Sequence, residues 1–263
     1  MTSHPIKEVV LCADDYALNA PVSQGIVALA VLGRLSATSV MSLSPRWAED
    51  VVALRDVRER LDVGVHLDWT SSFAVDAGDG RGLTATKLRA ALRLCEQKSI
   101  EDQIERQLDA FEEQWQAPPD HIDSHQHVHQ LPVFRQALMH VLIRRYGTMA
   151  HRPWLRVSSG VAPLEKLAHG YAWPMVGPVF GAYGFNASMD DYARHMQTWL
   201  ASVPADKTAL IMCNPAVSAQ ADDSLGNTRK REFAYLAGHD FVQHLVDASV
   251  RVVRGSGKPM LPV

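Results

Sequence analysis

The chain has 263 residues, of which 47% are hydrophobic, 21% charged and 7% aromatic, with a formal net charge of −3 at pH 7. This composition is typical of a soluble globular protein that buries a substantial core. The near balance of 26 basic and 29 acidic residues predicts no nucleic-acid partner, because nucleic-acid-binding proteins carry a basic excess or stripe. The longest apolar run, 25–33, is too short to predict a membrane span. Three separated cysteines and an N-terminus without an apolar signal core predict a reduced, cytoplasmic protein.

Strand-like apolar runs alternate with helical patterns along the chain, which predicts an α/β fold with a mostly parallel sheet. The predicted strands cover 8–13, 36–42, 62–67, 121–123, 154–157, 208–213 and 250–253. The predicted helices cover 21–33, 47–60, 100–115, 132–147, 188–200, 228–238 and 239–248. This number of strand–helix units favours an irregular TIM-like (β/α) barrel over an open two-layer sheet.

The whole chain, 1–263, is predicted to form a single domain, because no repeat and no polar linker divides it. One stretch, 160–188, is rich in Gly, Pro and aromatic residues and has poor periodicity. We expect it to be a long irregular loop or insertion beside the functional site.

Three polar clusters follow predicted strands at their carboxyl ends. They are Ala13–Tyr16, His66–Asp68 and Asp123–His129, and four of the twelve histidines lie between 121 and 129. In a parallel barrel all carboxyl ends of the strands face one rim, where active sites are assembled, so we expect these clusters to meet. One aspartate and two histidines would suit a catalytic zinc or similar ion.

Each cluster also has a structural interpretation. The pair Asp14–Asp15 could form a solvated turn or a helix cap, and His66 could be a hydrogen-bonded structural histidine. In the 121–129 run, His125 and His129 have the i, i+4 spacing of a helical metal motif, but Pro132 indicates a later helix start. On an extended segment the odd-numbered residues from 121 to 129 would all point to one side.

Several motifs together resemble those of the YdjC-like carbohydrate deacetylases, a family that includes chitooligosaccharide and hopanoid-biosynthesis deacetylases. The motifs are ADDYALN, GVHLDWT, HIDSHQHVHQLP and LIMCNPA, in that order and spacing, followed by RKREFAYL. The resemblance implies an irregular TIM-like barrel that binds one divalent metal ion, Zn or Mg, and removes acetyl groups from N-acetylated sugars. It also implies a homodimer. Taken by itself, the basic run 229–231 in the last motif is expected to be the solvated start of a helix.

The resemblance assigns roles to individual residues. Asp15, His66 and His125 would bind the metal, and Asp14 would be the general base. The chain departs from the family at Asn214, where the family has the histidine that serves as general acid, and an amide cannot deliver a proton at neutral pH.

Three explanations of this departure remain open. Another histidine, His127 or His129, could be the acid; the chain could be a slow or inactivated variant; or the substrate could have a better leaving group than an amine. The rival functions are therefore a catalytically impaired sugar-binding or regulatory homologue, and a metallohydrolase that cleaves another amide or an ester. A sugar site needs aromatic platforms and polar groups. The predicted substrate-binding residues are Tyr16, Trp69, Asp123, Trp154, Trp173 and Tyr183.

Overall fold

The computed structural model describes residues 5–158 and 162–260. Nine strands belong to one sheet: β1 (Lys7–Tyr16), β2 (Ala37–Val40), β3 (Asp62–Leu67), β4 (His121–Ser124), β5 (Trp154–Arg156), β6 (Met175–Val176), β7 (Val179–Phe180), β8 (Ala209–Cys213) and β9 (Val250–Val252). The helices are α1 (Ala20–Val31), α2 (Trp47–Asp56), α3 (Ser72–Asp76), α4 (Leu83–Ala91), α5 (Gln97–Trp115), α6 (Phe134–Tyr146), α7 (Ala162–Gly170), α8 (Met189–Ala201), α9 (Gly226–Ala237) and α10 (His239–Asp247). A 3₁₀ turn covers His125–Gln130.

The strands follow the order β6-β5-β4-β3-β2-β1-β8-β7, and β9 pairs with β1. All these pairs are parallel. The sheet alternates with helices and is nearly closed, so the prediction of an irregular (β/α) barrel is confirmed. Strands such as β3 are buried along their whole length, as expected where helices cover a parallel sheet.

Most predicted elements exist within a few residues of their expected bounds, but the 160–188 stretch is different. Its first two residues lie outside the described part of the chain, and the rest contains α7, β6 and β7. The stretch is therefore not loop throughout, because it contains one helix and two short strands. Strands of two residues are too short to show a period in the sequence.

The amino ends of the strands are closed by a buried hydrogen-bonded cluster around Asp62. Its carboxylate accepts bonds from Trp154 Nε1 (3.0 Å) and Arg254 Nε (2.9 Å). The imidazole of His121 stacks on the Trp154 ring with centroids 4.2 Å apart. Gly64 lies against this imidazole so closely that no Cβ would fit. These contacts leave the opposite rim, at the carboxyl ends, to the polar clusters.

Among residues 5–158 and 162–260, no helix combines the length and the apolar character that a membrane crossing requires.

Candidate metal and catalytic site

The two neighbouring aspartates of the site depend on a bulge at the end of β1. Ala13 pairs with Thr38 and Tyr16 with Val40, so three steps along β1 face two along β2. Asp15 takes a left-handed conformation with φ of 67°, which Asp tolerates better than most residues. Side chains of a regular strand alternate between two faces, and the extra residue of a bulge re-aims one of them. Both carboxylates therefore take part in one site.

Asp15, His66 and His125, the three predicted metal ligands, converge at the carboxyl rim. Asp15 Oδ1 lies 3.4 Å from His66 Nε2 and 3.2 Å from His125 Nδ1. One ligand atom from each residue lies within 4.8 Å of the others, close enough to share an ion. Two imidazole nitrogens and a carboxylate oxygen form a donor set that fits a catalytic zinc or a similar divalent ion.

Asp123 holds His66 in the orientation that such a site needs. His66 Nδ1–H donates to Asp123 Oδ1 at 2.6 Å, which leaves Nε2 facing Asp15. Burial alone would lower the pKa of His66, but the Asp123 carboxylate outweighs it and raises the pKa to about 9. Asp123 is fully buried and also accepts a bond from Ser39 Oγ at 2.6 Å. The prediction that Asp123 binds substrate is therefore corrected, because no part of its side chain is open to a ligand.

The second oxygen of Asp15 is bound by Arg229. Arg229 Nη2 donates to Asp15 Oδ2 at 2.7 Å, and its Nε lies 2.8 Å from a carboxylate oxygen of Asp223. Burial by itself would raise the pKa of Asp15, but Arg229, His125 and His66 hold it well below the usual range. Arg229 was expected to be solvated, and this is wrong: its side chain is 3% exposed because it neutralises two carboxylates.

A residue that the sequence analysis missed, Arg156, organises the other half of the site. Arg156 is the last residue of β5 and is fully buried. Its Nη1 donates to Asp14 Oδ2 at 2.9 Å, its Nη2 to Asp14 Oδ1, and the same group pairs with Asp123. The signal that could have found it is its position at the carboxyl end of a predicted strand, on the same rim as the acids.

The chain does not stay extended after His125, so the expectation that odd-numbered residues share one side is wrong. Gln126 and His127 both have left-handed φ values, 54° and 57°, within the 3₁₀ turn. His129 is fully buried, with Nδ1 accepting from Ser124 Oγ (2.6 Å) and Nε2–H donating to a backbone carbonyl oxygen (3.0 Å).

Neither of the two histidines is placed well to be a proton donor. Both ring nitrogens of His129 are engaged in hydrogen bonds, and burial lowers its pKa to about 3, so neither favours a role as general acid. His127 is half-buried, and burial lowers its pKa to about 4, so the imidazole is neutral at pH 7. An imidazole with so low a pKa is rarely protonated at neutral pH, and a general acid must be protonated to act.

Asn214 follows β8 at the rim and lies against a buried carboxyl group that the sequence analysis did not single out. Cys213 pairs with Ala13, which puts Asn214 level with Asp14 on the neighbouring strand. The backbone N–H of Asn214 donates to Glu232 Oε2 at 2.5 Å.

Four of the predicted substrate-binding aromatics are buried in the fold. Tyr16, Trp69, Trp154 and Trp173 are at most 3% exposed, and each polar ring atom already donates to another protein group. The prediction that these four residues bind substrate is therefore corrected: they pack in the core, and a ring with no exposed face cannot stack on a sugar. Tyr183 differs: it is half-buried and stands after β7 at the rim, beside Glu232.

Curated proteins similar to this chain include two with deacetylase names. The carbohydrate deacetylase of Homo sapiens is 27% identical over 210 residues, which cover 75% of this chain and 62% of that protein. The chitooligosaccharide deacetylase of Serratia marcescens is 27% identical over 220 residues, covering 80% of this chain and 82% of that protein. With the carbohydrate deacetylase of Enterococcus faecalis the match covers 47% of this chain and only 50% of that protein.

Among solved structures, an Enterococcus faecalis protein named for cellobiose-phosphate cleavage superposes with a TM-score of 0.78 at 20% identity. The superposition covers 97% of this chain and 99% of that one, and it supports the fold. The family model for YdjC-like proteins matches residues 8–247, which include every residue of the site described above. The chain therefore belongs to the YdjC-like protein family.

Proposed function

We propose that the protein is a metal-dependent hydrolase that removes the acetyl group from an N-acetylated carbohydrate. The observation that carries the proposal is the convergence of Asp15, His66 and His125 beside Asp14, a second carboxylate held by a buried arginine. The deacetylase names of the curated relatives support the substrate class. The matches span 50% of the Enterococcus faecalis relative and 62% of the human one.

Asp15, His66 and His125 would hold the ion. Mg²⁺ prefers an all-oxygen shell, whereas two imidazoles and a carboxylate suit Zn²⁺ or a similar transition ion, so we favour zinc over magnesium. When bound, such an ion polarises the acyl oxygen and lowers the pKa of water at the site.

The remaining work falls to protein groups. Asp14 accepts the proton of the attacking water, and Arg156 orients its carboxylate by two hydrogen bonds. General-base catalysis of this kind contributes roughly 10²- to 10⁴-fold. Asp123 and Arg229 orient the ligand side chains by bonds to His66 and Asp15.

A second candidate rests on Asn214, since an amide cannot protonate a leaving amine. The protein would then be a sugar-binding or regulatory homologue with impaired catalysis. This candidate predicts saturable binding of an N-acetylated sugar without acetate release by the zinc-loaded protein. A third possibility is a hydrolase of another amide or of an ester. In a panel of N-acetyl sugars, esters and simple amides, such an enzyme would release product from the esters or simple amides and not from the N-acetyl sugars.

The ligand assignment is tested by metal analysis of purified variants. Asp15→Ala, His66→Ala and His125→Ala should each lose most of the zinc bound by the wild type. His140→Ala, which removes a half-exposed imidazole on α6, is the control and should keep it. Stoichiometric zinc in all three ligand variants would contradict the assignment.

A further inference from the structure

The leaving amine of the proposed deacetylation needs a proton, and Asn214, at the carboxyl end of β8, has an amide that cannot supply one. Asn214 stands level with Asp14, and neighbouring strands lie roughly 4.8 Å apart, so this position borders the reacting groups. The acid that lies directly against it is Glu232 on α9. One Glu232 oxygen accepts the Asn214 N–H at 2.5 Å, and the other lies 2.6 Å from the Tyr183 hydroxyl.

Glu232 is a buried acid that can hold a proton near neutral pH. It is only 1% exposed, and burial raises its pKa to about 7 against the opposing effects of its two hydrogen bonds and of Arg229. Near neutral pH the group therefore exists in both forms. Five ionisable groups interact electrostatically with Glu232. They lie on α9, β1, β8, α8 and the segment before α8, and are, in that order, Arg229, Asp14, Cys213, Tyr192 and Tyr183.

Tyr183 is the member of this pair that is partly exposed to solvent. It is half-buried, whereas Glu232 is enclosed, and it follows β7 at the carboxyl rim. Burial and then the Glu232 carboxylate raise the pKa of the Tyr183 hydroxyl, so it keeps its proton at neutral pH.

We propose that Tyr183 and Glu232 act together as the proton donor to the leaving amine, a role that the amide of Asn214 cannot fill. The proposal rests on the deacetylase function proposed above. It assigns the contact with substrate to Tyr183 and the supply of the proton to Glu232.

In its acid form Glu232 donates its O–H to Tyr183 Oη, which frees the tyrosine proton to point at the substrate. As the C–N bond of the tetrahedral adduct breaks, its electron pair stays on nitrogen, and nitrogen takes the proton of Tyr183. Tyr183 takes the proton of Glu232. The proton that Asp14 took from the attacking water passes to solvent, and the Glu232 carboxylate regains a proton from solvent. The products are the free amine of the sugar and acetic acid, which ionises to acetate.

The experiment compares Tyr183→Phe and Glu232→Gln on two substrates, an N-acetylated chitooligosaccharide and 4-nitrophenyl acetate, with the zinc-loaded protein. Nitrophenolate leaves without a proton, so only the amide reaction needs the pair. We expect kcat on the sugar to fall by about 100-fold or more in each variant and in the double variant, and the ester rate to change less than about 3-fold. In the wild type, kcat on the sugar should fall as pH rises above about 7, because the acid form of Glu232 is then lost. Glu232→Gln should abolish this limb.

Tyr192→Phe is the matched control. Its hydroxyl lies in the same aromatic cluster, with ring centroids 5.5 Å from Tyr183, and has no hydrogen-bond partner among the described residues. It should behave as wild type on both substrates. Equal losses on sugar and ester, or no loss on the sugar, would overturn the pair while leaving the deacetylase function standing. A wild type that releases no acetate from any N-acetylated sugar would overturn both proposals.

Discussion

Replacement of Arg156 with Met is expected to destabilise the protein strongly. The guanidinium is fully buried and pairs with two carboxylates, those of Asp14 and Asp123. Methionine fills much of the same space but leaves both acids without their cation. Removing one partner of a buried ion pair typically costs about 3–5 kcal/mol. At about 2–4 °C per kcal/mol for a chain of this size, the melting temperature should fall by about 6–20 °C.

The loss should depend on pH in a defined direction. In the wild type, burial would raise the pKa of Asp123, but Arg156 and His66 outweigh it and hold the pKa below the usual range. A carboxylate with a depressed pKa contributes stability at neutral pH and loses it only as pH falls through the folded-state pKa. Without Arg156 the buried Asp123 carboxyl favours its protonated form, so the deficit of the variant should be smaller at pH 5 than at pH 8.

Urea unfolding followed by circular dichroism at both pH values measures these differences. Arg251→Met is the matched control, because it breaks an arginine–carboxylate pair with Glu8 in which the arginine is 64% exposed. Pairs exposed to this extent are worth less than about 1 kcal/mol. If Arg156→Met loses no more stability than Arg251→Met, the network around Asp14 and Asp123 does not carry the buried charge that we ascribe to it.

Two further predictions concern the support of the site. Asp123→Asn should weaken zinc binding by about 10- to 100-fold in isothermal titration calorimetry, because it removes the carboxylate that orients the imidazole of His66, a proposed ligand. The control Asp102→Asn, on the exposed surface of α5, should leave zinc binding unchanged. Unchanged zinc affinity would remove Asp123 from this role. Gly64→Ala should cost about 1–3 kcal/mol in urea unfolding, since its Cβ would overlap the His121 ring, while Gly82→Ala, with open space around it, should be near neutral. Equal effects of the two glycine variants would show that the packing around His121 can rearrange without lowering the free energy of unfolding.

The local pattern of the sequence was sufficient for most of the scaffold. A short run rich in apolar residues predicts a buried strand, because it shields both faces of the strand from water. For β3 the predicted bounds, 62–67, are those observed. The position of polar clusters at strand ends, combined with the geometry of parallel barrels, predicted that Ala13–Tyr16, His66–Asp68 and Asp123–His129 would meet. The resemblance to the YdjC-like family singled out Asp15, His66 and His125 within these clusters. Turn residues and periodicity are local properties, so one chain is enough to detect them.

The charge balance of the site was decided by tertiary structure alone. Arg156 and Asp14 are 142 positions apart, and Arg229 and Asp15 are 214 apart, so no local pattern links either pair. Burial likewise changed the roles of Trp154, now a packing residue, and of Glu232, which the sequence alone did not mark. An ionisable side chain takes its protonation state and its partners from whatever the folded chain brings within a few ångströms of it. That depends on long-range contacts, which the order of residues does not display.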